Sequence, residues 1–219
     1  MIDDPLKASI LSMKIIPRVN ESLKAALELP EEHHAIGLFT CDIDDVGYTC
    51  IDEATKKADV KVVYAKSFYG GAMNANTKLA GEFIGIISGP NPAEIRAGLD
   101  ALQELMNNEA WFFSANEDDT ICYYAYTISR SGTYLSEGIN QPAGTPIAYL
   151  IAPPEEAVYG VDAALKAAEV EIGVFYGPPS ETNFGGALLY GEQSACKAAC
   201  LAFADAVKYV AAHPTELVS

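Results

Sequence analysis

The first apolar pattern in the chain is a loose alternation from Ser9 to Ile16, and a period of two predicts a strand. Asn20 then caps a short helix from Glu21 to Leu29, which Pro30 ends. Ile36 to Cys41 is apolar enough for a buried strand. Asp42-Ile-Asp-Asp45 reads as a loop that leads to a helix from Ile51 to Ala58. Val60 to Tyr64 alternates with Lys61 facing outward, a strand covered on one face. The stretch Lys66 to Lys78 is rich in glycine and asparagine and forms a long loop, either a plain surface excursion or a functional one. Phe83 to Ile87 is a second buried strand, and Gly89-Pro-Asn-Pro92 is a turn that opens a helix to about Met106. That helix turns Ile95, Leu99, Leu102 and Met106 inward and Glu94, Asp100 and Glu104 outward. Asn107-Asn-Glu109 breaks it.

After this break the pattern starts again. The second half opens with Ala110-Trp-Phe-Phe-Ser114, an acidic turn follows at Glu117-Asp-Asp119, and the tyrosine-rich run Ile121 to Ile128 is a strand. Ser131-Gly132 and Gly138 to Pro142 are turns. Ala148 to Ile151 is a strand matching Leu38 to Cys41, Pro153-Pro-Glu-Glu156 is a loop, and Val158 to Ala168 is a helix. Val170, Ile172 and Val174 mark a strand, Gly177 to Asn183 a short loop, Ala187 to Tyr190 a strand, and Ser194 to Val210 a last long helix. The second half repeats the first. Asp162 to Val170 lies over Asp52 to Val60, and Gly191 to Ala199 over Gly89 to Ala97, in the same order. Two domains follow, 1–110 and 111–219, with about eight extra residues in the first one's central loop. Each is α/β (α+β), an antiparallel sheet flanked by two Ala-rich helices. The alanine stripes (Ala163, Ala164, Ala167; Ala195, Ala198, Ala199) allow close approach and suit a thin domain that packs against copies of itself.

Composition narrows the class. Half of the residues are hydrophobic, enough for each half to bury a core. The formal charge of −16 argues against nucleic acid and anionic membrane surfaces and favours small cationic partners. No apolar run reaches the ~18 residues of a membrane span, and the start Met1-Ile-Asp-Asp4 is unlike a secretory signal. The five cysteines include no CxxC pair and fit a cytoplasmic setting. Cys196 and Cys200 have a spacing that could hold a metal on one helix face, but two small buried residues are the better reading.

The small-residue helix Ala163 to Val170 and the Gly-x-x-x-Ala-x-x-Ala-Ala helix start at Gly191 to Ala199 resemble the bacterial microcompartment shell-protein domain. Strand-like sequence precedes the first block in each half, at Ser9 to Ile16 and Ile121 to Ile128, as in the circularly permuted version. The segments Gly89 to Ala101 and Pro178 to Asn183 point further, to the tandem permuted type of ethanolamine-utilisation microcompartments. The resemblance implies a homotrimer whose six domains form a pseudo-hexagonal tile, packed with other microcompartment shell proteins into a sheet. It also implies small pores that bind ethanolamine, a gated central passage, and a link to cobalamin.

Ethanolamine is a small cation with a hydroxyl, so its pore needs carboxylates, hydrogen-bonding groups and an aromatic wall. The resemblance assigns these roles to Asp44, Asp45, Glu82, Phe112, Thr182, Asn183 and Phe184. Read from the residues alone, Asp44 and Asp45 equally suit the start of the helix that follows them. The resemblance also associates Glu156 with zinc in an open form, and the long loop, with Phe68, Tyr69, Gly70, Gly71 and Met73, is the candidate gate. No required cofactor and no catalytic residue is expected: His33, His34 and His213 lie apart from the carboxylates, and no nucleophile or phosphate loop accompanies them. A soluble small-molecule sensor of duplicated fold is the other reading, separable from a tile by its failure to form sheets.

Overall fold

The apolar runs fold as strands, and each half lays them out in the same order. The computed structural model describes residues 1–68, 82–180 and 183–217. After a short β1 (Pro5–Lys7), the first half supplies β2 (Ile10–Ile16), α1 (Glu21–Ala26), β3 (Ala35–Cys41), α2 (Asp44–Lys57), β4 (Lys61–Phe68), β5 (Glu82–Gly89) and α3 (Pro92–Asn108). The second half supplies β6 (Trp111–Ser114), β7 (Cys122–Ile128), α4 (Thr133–Gly138), β8 (Ile147–Ala152), α5 (Pro154–Ala167), β9 (Val170–Tyr176), β10 (Gly185–Gly191) and α6 (Gln193–Ala212).

One sheet runs β2-β3-β5-β4; the other contains the same series, β7-β8-β10-β9, extended by β6 and β1. All pairings are antiparallel. The duplication reaches fine detail. The β4–β5 ladder shifts register between Val62 and Tyr64, and the β9–β10 ladder shifts at the equivalent Ile172 and Val174. β1 belongs to the opposite half: Leu6 pairs with Phe112 in β6, so the first residues close onto the second sheet.

Several boundaries differ from the sequence pattern. α2 begins at Asp44 and α5 at Pro154, so the stretches read as loops before them include each helix's first turn. The cause is the helix dipole: Asp44 and Asp45 in one helix, Glu155 and Glu156 in the other, place negative charge at the positive end. α4 forms where only turns were expected, and α1 stops at Ala26. Two alignments slip by a residue. The ladders put Cys41 over Ala152 and Leu38 over Tyr149. Burial puts Ile95, Leu99, Leu102 and Met106 over Cys196, Cys200, Phe203 and Val207. Which face meets the sheet sets that register, and the matched alanines do not.

One apolar core joins the halves, with Phe39, Ile51, Phe83 and Leu102 from the first and Phe112, Tyr124, Tyr149 and Leu188 from the second. A smaller one lies between α5, α6 and the second sheet. All five cysteines are buried. Among the described residues, no helix is long and apolar enough to cross a membrane.

Candidate functional site

The first turn of α2 carries two carboxylates into the junction between the halves. Asp44 is 3% exposed and Asp45 7%. They lie in a cleft of about 700 Å³ bounded by α2 and β4 on one side and by α4, β8, β9 and β10 on the other. Tyr48, Tyr134, Tyr149 and Tyr176 line it. The Tyr149 hydroxyl donates to Asp45 Oδ1 at 2.8 Å. Tyr48 lies parallel to Tyr134 with ring centroids 6.2 Å apart, and its hydroxyl accepts from the Ser67 amide at 2.9 Å. Glu137 adds a carboxylate at the rim and Lys66 a cationic group. Buried carboxylates and tyrosine faces together suit a small organic cation.

Burial raises the Asp45 carboxyl well above its ordinary range, and the neighbouring charge of Asp44 adds to this; the Tyr149 hydrogen bond works the other way. Burial pushes up the Tyr176 hydroxyl as well, with the charge of Asp45 second. A cation entering the cleft would relieve both.

The remaining expected residues lie around the strand ends. Glu82 opens β5 opposite Phe68, the last residue of β4. Its charge and that of Asp44 both act on the Cys41 thiol, which burial raises first. Phe112, fully buried in β6, stacks on Tyr124 at 5.1 Å and meets Phe184 at 6.2 Å. Tyr124 in turn meets Tyr149 edge-on at 5.4 Å, so an aromatic path joins Phe184 to the partner of Asp45. Asn183 has φ +73°, and its amide donates to the Ser180 carbonyl at 3.3 Å in the turn before β10. Thr182 lies outside the described residues. So do Tyr69, Gly70, Gly71 and Met73 of the expected gate, whereas Phe68 is in β4.

Glu156 sits in the first turn of α5. Among the described residues, no group of three or more His, Cys, Asp or Glu side chains gathers to hold a metal.

The sequence reading missed the four tyrosines. One signal was present: Tyr149 is the only polar side chain in the wholly buried run Ile147–Ala152, and a buried hydroxyl requires a partner. It also missed Asp52, whose carboxylate accepts from the Gly132 amide at 2.6 Å and the Leu135 amide at 2.9 Å, capping α4 from the other half.

Comparison with known proteins agrees with this architecture. A family model described as the BMC domain matches residues 35–115. Bacterial microcompartment shell protein EutL of Clostridium perfringens is 56% identical over 214 residues, 98% of this chain and 99% of that protein. The protein of that name from Salmonella typhimurium is 46% identical over 97% of each chain. The crystal structure of ethanolamine utilization protein EutL from Leptotrichia buccalis superimposes with a TM-score of 0.94 at 61% identity, covering 99% of this chain and 100% of that one.

Proposed function

This chain belongs to the EutL family of bacterial microcompartment shell proteins, and from that premise we propose that it forms a threefold tile perforated by cation-binding pores. As a shell protein it is a structural component that associates with other shell proteins, not an enzyme. In the proposed tile three chains place six equivalent halves around an axis. Each chain contributes one small pore between its halves, and ethanolamine is the cation it takes. The observation that carries this is the pair of buried carboxylates, Asp44 and Asp45, in a tyrosine-lined cleft between the halves.

The ammonium group would face Asp44 and Asp45. Glu82, Asn183 and Phe184 would form the second mouth, with Phe112 behind Phe184, and the aromatic path between the two mouths favours a narrow apolar-walled passage; Thr182 is assigned to the site from the resemblance alone. Most of the residues that line the cleft do not recur at the other half's equivalent positions. Pro154 and Glu155 stand for Asp44 and Asp45, Val158 for Tyr48, and Ser22 for Tyr134, so one site per chain is expected. A gated central passage is proposed from the resemblance alone, with cobalamin as one candidate passenger.

Native mass spectrometry with and without ethanolamine tests the proposal. The expected result is a species of roughly 70 kDa, three times the 23.4 kDa chain, that gains up to three ethanolamine molecules. A monomer or dimer would sink the tile. A trimer that takes no ethanolamine would leave the tile and remove the pore assignment. Glu82→Gln should weaken calorimetric affinity by about 1–3 kcal/mol, the scale of a charge-assisted contact; unchanged affinity would exclude Glu82 from the site.

A further inference from the structure

Phenylalanine would fill the place of Tyr149 without requiring a hydrogen bond. The strand around it is buried along its whole length, and Tyr149 is 2% exposed. A hydroxyl in such a place is destabilising unless it is bonded. Its partner is Asp45, itself buried, whose Oδ1 accepts at 2.8 Å. Apolar side chains of the same shape are often as stable as a buried polar pair, so packing alone does not account for this one. The other half keeps neither member. Leu38 stands at the place of Tyr149, and Glu155, which is exposed, at that of Asp45.

Asp45 is gripped at two points by a closed circuit of side chains. Its carbonyl accepts from the Thr49 hydroxyl at 3.0 Å, and that hydroxyl accepts from Tyr124 at 3.0 Å. The Tyr124 ring meets the Tyr149 ring edge-on at 5.4 Å, and Tyr149 returns to the carboxylate. α2, β7 and β8 all take part, so both halves fix the position of the acid. The Tyr149 bond occupies Oδ1 and leaves Oδ2 to a ligand in the cleft.

The surroundings set the charge of that acid. The titratable groups that face Asp45 are Asp44 and Tyr48 on its own helix, Cys122 and Tyr124 on β7, Tyr149 on β8 and Tyr176 on β9. Lys66, Tyr134 and Glu137 also line the cleft. Burial first, then Asp44, favours the neutral acid; the hydrogen bond from Tyr149 favours the carboxylate.

We propose that Tyr149 is the positioning residue of the pore, holding Asp45 both in place and in the charged form that an ammonium ligand needs. It acts through Asp45. The inference rests on the cation-pore reading and adds what sets the pH at which the pore loads.

Calorimetry of the full chain with ethanolamine, over a pH series, tests it. Two changes are compared with the parent: Tyr149→Phe, and a tyrosine at 149 fluorinated beside its hydroxyl, a stronger donor of nearly the same size. Without the donor, Asp45 keeps its proton to higher pH. Tyr149→Phe should therefore weaken binding about tenfold near neutrality, move the rise of affinity to higher pH, and approach the parent as pH increases. The fluorinated side chain should move the rise to lower pH. A tyrosine that only fills space predicts the same loss at every pH for Tyr149→Phe and no shift for the fluorinated chain, and that pattern would overturn the inference. Where Tyr149→Phe does not fold, the fluorinated chain, which keeps ring and hydroxyl, decides by itself. A parent that binds no ethanolamine at any pH would remove the pore reading as well, whereas binding with one common pH profile removes only the role of Tyr149.

Discussion

Asp52 and Asp162 hold the same place in α2 and α5, but one is buried under two backbone amides and the other pairs with Lys166 at the surface. Replacing Asp52 with Ala leaves the Gly132 and Leu135 amides without their acceptor, with an expected loss of about 1–3 kcal/mol, visible as a lower denaturant midpoint. Asp45 makes a pH-dependent prediction. Its raised carboxyl means that the folded chain keeps a proton to higher pH than the unfolded chain does. The sign follows: its contribution to stability is complete below the unfolded carboxylate range and is lost as pH rises through the folded value. Asp45→Asn keeps an acceptor for Tyr149 and should remove that loss, so the variant should gain on the parent with rising pH. Parallel pH profiles would acquit Asp45. An organic cation competes with the same proton, so its affinity should rise over the same range, with proton release seen by calorimetry in buffers of different ionisation heat. The acidic pair was legible in the sequence. Its burial was not, because the tyrosine that covers Asp45 lies 104 positions away.

At the scale of elements, the strands were legible because alternation is local, and the helix faces because their apolar spacing is regular. α4 was not, being six residues between turn-forming glycines and held by an aspartate from the other half. The two one-residue slips have a similar origin, since identity of small residues does not say which side meets the sheet. Strand pairing also sets the tightest steric limit among the described glycines. A Cβ at Gly186 would sit 1.8 Å from the Leu150 carbonyl oxygen in the adjacent strand, a backbone atom that cannot rotate away. Gly186→Ala should therefore cost at least the ~1–3 kcal/mol typical of overpacking, read as a lower melting temperature. Gly138→Ala serves as the contrast, because a Cβ there would meet nothing within 4 Å. Equal melting temperatures for the two variants would disprove the steric account.

In the whole molecule, the duplication was legible but the mutual dependence of the halves was not. Their shared core and the Asp52 cap predict one cooperative unfolding transition in calorimetry. Two resolved transitions would show that each half stands by itself. A fragment of residues 1–110 should fail to reach the native fold, because it exposes the buried side of α2 and lacks β6, the partner of β1. That last pairing has a consequence in time. The chain's opening strand is made first, but its partner is about a hundred residues further on, which at ~5–20 residues per second takes a ribosome roughly five to twenty seconds. During each round of synthesis the first sheet can assemble while residues 5–7 wait, and docking of β1 on β6 becomes a late event that reports on arrival of the second half.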